Sequence, residues 1–135
     1  MKEQVNAVTK EKKGLLILAH GSKVKETDET VKRLAEAVKI QTADTFDAVG
    51  YGFLQMANPT MAEAARKLAE AGVTRVHIAP FFLFRGNHLR EDIPEELENL
   101  KKEYPHLNFT MGGSIGDHPA MTRVLLDQIE KDLSA

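Results

Sequence analysis

Three of the five histidines in this chain stand at or near the ends of apolar or glycine-rich runs. His20 follows "GLLILA", His88 closes "RGNH" after "VTRVHIAPFFLF", and His118 ends "GGSIGDH". A neutral imidazole can hold a transition metal and can also accept a proton near neutral pH. No HxH or HExxH spacing occurs, so a closed zinc site is not encoded by any local motif. Zero cysteines exclude a disulfide framework, a thiolate metal site and a cysteine nucleophile together. "AHGSK" lacks the spacing of a phosphate loop, "GGSIG" is not followed by a clear ribose-binding acid, and Ser22 does not lie in GxSxG. His77 sits between apolar neighbours and suits a structural role, while His106 lies in a connection that enters a strand. His118, before Pro119, suits either a helix start or a substrate contact.

The elements that must position these residues follow from periodicity. "GLLILA" (14–19) is a continuous apolar run, as expected of a strand covered on both faces. Val24, Val31, Leu34, Ala35 and Val38 then repeat at helix spacing. A second strand is expected at 48–54. A helix over 59–71 would be capped by Asn58, opened by Pro59 and stopped at Gly72. A third strand follows in "VTRVHIAPFFLF", with Phe81 to Phe84 as its buried end, although Pro80 argues against a fully paired central position. Asp92 and Glu95 resemble a capping box that starts the next helix. A fourth strand at 107–111 precedes a last helix with Met121, Val124, Leu125, Ile129 and Leu133 on its apolar face. Four β-α units predict an α/β fold: one four-stranded, mainly parallel sheet with helices on both faces. Ligands of such sheets bind beyond the carboxyl ends of the strands, where His20 and His88 would leave different strands and converge. Two imidazoles, cationic donors and a glycine-rich exit suit a large flat ligand with acidic edges.

At 135 residues the chain suits one domain. We expect a solvated tail over 1–13 and a single α/β domain over 14–135. A formal net charge of -2 gives no basis for nucleic-acid or anionic-membrane binding. No apolar run approaches the roughly 20 residues of a membrane span, and no signal-type segment follows the charged N-terminus. A cytoplasmic location is the expectation.

"LLILAHGSK", "GFLQMANPTMAEAARKLAEAGVTRVHIAPFFLFRGNHLREDIP" and "GGSIGDHP" resemble, in order and spacing, the short form of the sirohydrochlorin cobaltochelatases, the class II tetrapyrrole chelatases. The likeness runs from about residue 14 to the C-terminus. It implies half of a two-domain chelatase in size, a homodimer, and ATP-independent insertion of a divalent metal into sirohydrochlorin for cobalamin synthesis. Variants of that activity insert ferrous iron or nickel, and a non-catalytic metal or tetrapyrrole carrier is an alternative of a different class. The metal, cobalt foremost, is a substrate, and no tightly bound cofactor is implied. His20 and His88 match the family's two active-site histidines, which bind the metal and help to remove the pyrrole protons. Ser22, Lys23, Arg85, Arg90, His118 and the 112–116 backbone, with Gly113 and Ser114, would contact the substrate's carboxylates. Gln55 stands where many relatives have a glutamate. It keeps an oxygen donor without the charge, so metal holding is looser, or Glu91 or Asp92 assists, or activity is reduced.

Overall fold

The computed structural model describes residues 11–84 and 86–134, and within these the side chains of all but 87–90. Strands β1 (Lys13–Ala19), β2 (Ala48–Phe53), β3 (Arg75–Pro80) and β4 (Asn108–Met111) alternate with helices α1 (Lys25–Gln41), α2 (Met61–Glu70), α3 (Asn87–Glu103) and α4 (Ala120–Ser134). The sheet order is β2-β1-β3-β4, and all three pairings are parallel. Leu15 to Ala19 are all buried, because β1 is central and covered on both faces. Leu16 and Leu18 face α2 and α3 in a core that includes Met61, Val76, Ile78 and Leu100. Leu15 and Ile17 face the other way, toward Ala35 and Val38 of α1.

Several element boundaries differ from the sequence-based expectation, each for a physical reason. Lys12 and Lys13, expected in the tail, already belong to the sheet edge. The Lys12 N–H donates to Thr74 Oγ1 at 3.1 Å, and Lys13 opens β1. The remainder of that expected tail, residues 1–10, lies outside the described residues. Pro80 does not keep β3 off the centre, since it occupies the last strand position, opposite Leu18, where a missing N–H interrupts no ladder. The strand ends there. Phe81, Leu83 and Phe84 are exposed rather than a buried strand end.

Helix α2 is capped by Thr60, not Asn58. Thr60 Oγ1 accepts from the Glu63 N–H, and Glu63 Oε1 accepts from the Thr60 N–H, both at 3.1 Å. This reciprocal pair is a capping box, satisfying two groups that the helix end would otherwise leave open. Thr60→Ala should therefore cost about 1 kcal/mol in a denaturant titration. The Thr60 N–H, then its hydroxyl, hold the Glu63 carboxyl below its ordinary value of 4.5. Its contribution is complete above that value and is lost as pH falls through the lowered folded value, so the Thr60→Ala difference should shrink in acid.

Helix α3 begins at Asn87 after the N-cap Gly86, so Asp92 and Glu95 are not its start. Pro94 lies inside the helix and removes one intrahelical bond without ending it. Helix α4 carries the expected apolar positions but buries none of them: Val124, Leu125, Ile129 and Leu133 are all exposed.

Candidate active site

The strand order places a topological switch between β1 and β3. From β1 the chain leaves through α1 on one face toward β2; from β3 it leaves through α3 on the other face toward β4. Connections that leave neighbouring strands toward opposite faces open a crevice at the carboxyl edge, the usual ligand position in this architecture. His20 is the first residue after β1. His88 lies in the first turn of α3, on the exit from β3, with its side chain outside the described set. The two predicted histidines therefore leave the two central, adjacent strands.

Gln55, on the exit from β2, joins His20 through both backbone and side chain. Its N–H donates to the His20 carbonyl at 3.1 Å, and its amide lies 3.4 Å from His20 Nδ1. The Leu54 N–H, donating to the Ala19 carbonyl, continues the same ladder beyond the strand ends. Gly21 makes this approach possible. It has φ of 97°, and a Cβ there would overlap the Gln55 carbonyl oxygen. Only glycine meets both conditions without strain. Gly21 was absent from the expected site, although a glycine directly after a strand-end histidine was the available signal. Gln55 thus touches the imidazole at Nδ1, and a contact at one ring nitrogen is a means of holding a ring's orientation.

The other expected residues divide into those at the edge and those with local duties. Ser22 Oγ accepts from the Val24 N–H at 3.0 Å, which shapes the entry to α1, and a hydroxyl that accepts can still donate. Lys23 is exposed on the same loop. Arg85 lies outside the described residues. Arg90 is placed by its backbone in the first turn of α3.

In the exit from β4, Gly112, Ile115 and Gly116 donate to the carbonyls of Ile78, Phe82 and Leu83. The expectation that the whole 112–116 backbone faces the substrate is therefore too broad. Among the described residues, the N–H groups of Gly113 and Ser114 make no backbone bond, so these two remain as donors. His118 serves the helix start: its Nδ1 accepts from the Ala120 N–H at 3.0 Å. His77 Nδ1 lies 2.8 Å from Thr110 Oγ1 and ties β3 to β4. Glu91 is exposed on α3, one turn from its start. No cluster of three or more His, Asp or Glu side chains that could hold a metal occurs among the described residues.

The four-stranded parallel sheet, with a switch point between its two central strands, places this chain in the class of open α/β proteins, whose ligands usually bind beyond the carboxyl edge. The comparisons with known proteins make this specific. The CbiX family model matches residues 14–132, and the chain belongs to that family. It is 32% identical over 120 residues to a sirohydrochlorin cobaltochelatase of Sulfurisphaera tokodaii, covering 89% of this chain and 93% of the relative. It is 28% identical to a chloroplastic sirohydrochlorin ferrochelatase of Arabidopsis thaliana, covering 90% of this chain and 53% of that longer protein. The sirohydrochlorin chelatase SirB of Bacillus subtilis subspecies spizizenii, solved in complex with cobalt, has the same fold in one half. The TM-score is 0.82 at 23% identity, covering 89% of this chain and 50% of SirB.

Proposed function

We propose that this protein inserts a divalent metal, cobalt foremost, into sirohydrochlorin without ATP, as a step of cobalamin biosynthesis. The observation that carries this reading is the placement of His20 and of the α3 turn bearing His88 on adjacent central strand exits. The activity named for the similar Sulfurisphaera protein supports it. Ferrous iron is the second metal to test, because a relative that matches 90% of this chain is named a ferrochelatase.

Insertion of a divalent cation into the macrocycle releases two pyrrole protons, so a base must stand beside the metal. In this account His20 and His88 hold the incoming metal through neutral imidazoles and take up the protons. Two imidazoles with open positions hold the ion loosely enough for transfer, unlike a closed four-ligand cage. Gln55 fixes the His20 ring and gives at most a weak neutral oxygen to the metal. Lys23, Ser22, Arg85, Arg90 and the Gly113 and Ser114 N–H groups bind the acidic rim. Initial rates with cobalt, ferrous and nickel ions, each supplied anaerobically with sirohydrochlorin, test the metal order. Gln55→Glu should tighten cobalt binding by about tenfold in a competition titration, because it adds a charge beside His20. Unchanged affinity would remove Gln55 from metal handling.

A homodimer is part of this proposal, in keeping with a chain that covers half of SirB. The exposed apolar face of α4 supports it, since a lone helix of this length is marginal in water and gains its stability by packing. Mass measurement in solution should give twice the chain mass. A monomer at micromolar concentration would contradict this. The proposal also takes the protein to be cytoplasmic, and no described helix is long and apolar enough to cross a membrane.

A further inference from the structure

Four large apolar side chains at the carboxyl edge face solvent: Met56 is 61% exposed, Phe81 36%, Leu83 49% and Phe84 67%. They stand on a fixed backbone. The Phe81 N–H donates to the Leu18 carbonyl at 2.7 Å, and the Ile115 and Gly116 N–H groups donate to the carbonyls of Phe82 and Leu83. Gly116 lies so near Phe84 that a Cβ would overlap its ring, so the β4 exit supports that ring from one side. On the β2 exit, Gln55 is bonded to His20, and Met56 follows it with φ of 61°. That left-handed conformation is costly for a residue with a Cβ. A strained backbone that holds an apolar side chain out in solvent does nothing for the core, and strain of this kind gathers at functional positions. The strand order β2-β1-β3-β4 sets Met56 on one side of the β1 exit and the 81–84 segment on the other, with His20 between them.

We propose that Met56 on one side, and Leu83 and Phe84 on the other, form the apolar walls of a trough that receives the flat face of the tetrapyrrole. This rests on the chelatase reading for the identity of the ligand and adds the residues that bind its macrocycle. The cationic and N–H donors named above can hold only the acidic rim. The conjugated ring offers a broad apolar face, and burying it against a thioether and an aromatic ring supplies affinity that rim contacts in water do not. The walls also fix the plane of the ring beside His20, as metal transfer requires.

The test is anaerobic titration of the full-length chain with metal-free sirohydrochlorin, followed by absorption, with no metal present. Phe84→Ala and Met56→Ala should each weaken binding by about tenfold. Phe84→Leu should keep most of it. Met56→Gly is the sharper variant: relief of the left-handed strain should leave the melting temperature unchanged or raised, while affinity still falls. In turnover the same variants should raise KM. Affinities equal to wild type in Phe84→Ala and Met56→Gly would overturn the trough. Conversion of a dimer to a monomer by Phe84→Ala would also overturn it, because the patch would then be a contact between copies. A wild-type protein that neither binds nor metallates sirohydrochlorin defeats the chelatase reading first, and the trough with it. A wild type that does both, with variants that bind as well, defeats the trough alone.

Discussion

His20→Ala and His88→Ala should each lower the rate of metal insertion by about 100-fold or more, the usual loss when a positioned base is removed. His20 is exposed and contributes nothing to the buried core, so the melting temperature of His20→Ala should stay at the wild-type value. The loss should fall on kcat, because the contacts proposed to bind the macrocycle remain in place. A double variant should be little worse than either single one if both imidazoles act on one metal, since residues that act as a unit are not additive. Unchanged turnover in both single variants would remove the proposed site.

Gly21→Ala should be the most damaging single methyl group in the chain. The residue has φ of 97°, which costs a non-glycine residue roughly 1–2 kcal/mol, and the new Cβ would overlap the Gln55 carbonyl oxygen. Relief requires the β1 and β2 exits to part, which breaks the Gln55 N–H bond to His20 and displaces the imidazole. We expect a loss of at least about 2 kcal/mol in a denaturant titration, with a parallel loss of turnover. Gly113→Ala is the control for stability, because nothing lies within 4 Å of the position a Cβ would take there. Equal stability of the two variants would show that Gly21 is not the point at which the exits are held together.

The strands were legible because a parallel sheet covered on both faces writes itself as unbroken apolar runs, as in "GLLILA". The same rule misplaced the end of β3. The run Phe81 to Phe84 continues in sequence after the strand has stopped, and periodicity cannot separate a buried strand end from an exposed apolar wall. Helix starts were misread where two signals competed. Asn58-Pro59 outweighed Thr60 with Glu63, although the latter pair is a capping box by spacing alone. Asp92 with Glu95 imitated a cap inside a helix that starts at Asn87, because Gly86 caps with no side chain to read. The apolar pattern of α4 is correct as a pattern. It does not say what the face packs against, and among the described residues nothing buries it.

At the site, His20 and His88 could be chosen from strand exits, but their adjacency depends on the order β2-β1-β3-β4, which no local pattern encodes. Gln55 entered through family resemblance as a weakened metal ligand, and its contact with His20 Nδ1 depends on the pairing of the β1 and β2 exits, which no local pattern encodes. Gly21 left a trace, a glycine directly after a strand-end histidine, whereas Met56 left none, because its positive φ is a property of the folded backbone.

The central claim is that this chain accelerates metal insertion through these imidazoles, and one measurement addresses it most directly. Purified protein, sirohydrochlorin and cobalt(II) are mixed anaerobically without ATP, and the conversion of the metal-free spectrum is followed against a protein-free control. The account predicts insertion well above the uncatalysed rate with multiple turnovers, and a return to near the control rate in His20→Ala and His88→Ala. No acceleration with cobalt, ferrous or nickel ions, despite tight binding of the tetrapyrrole or metal, would contradict it and make the protein a carrier.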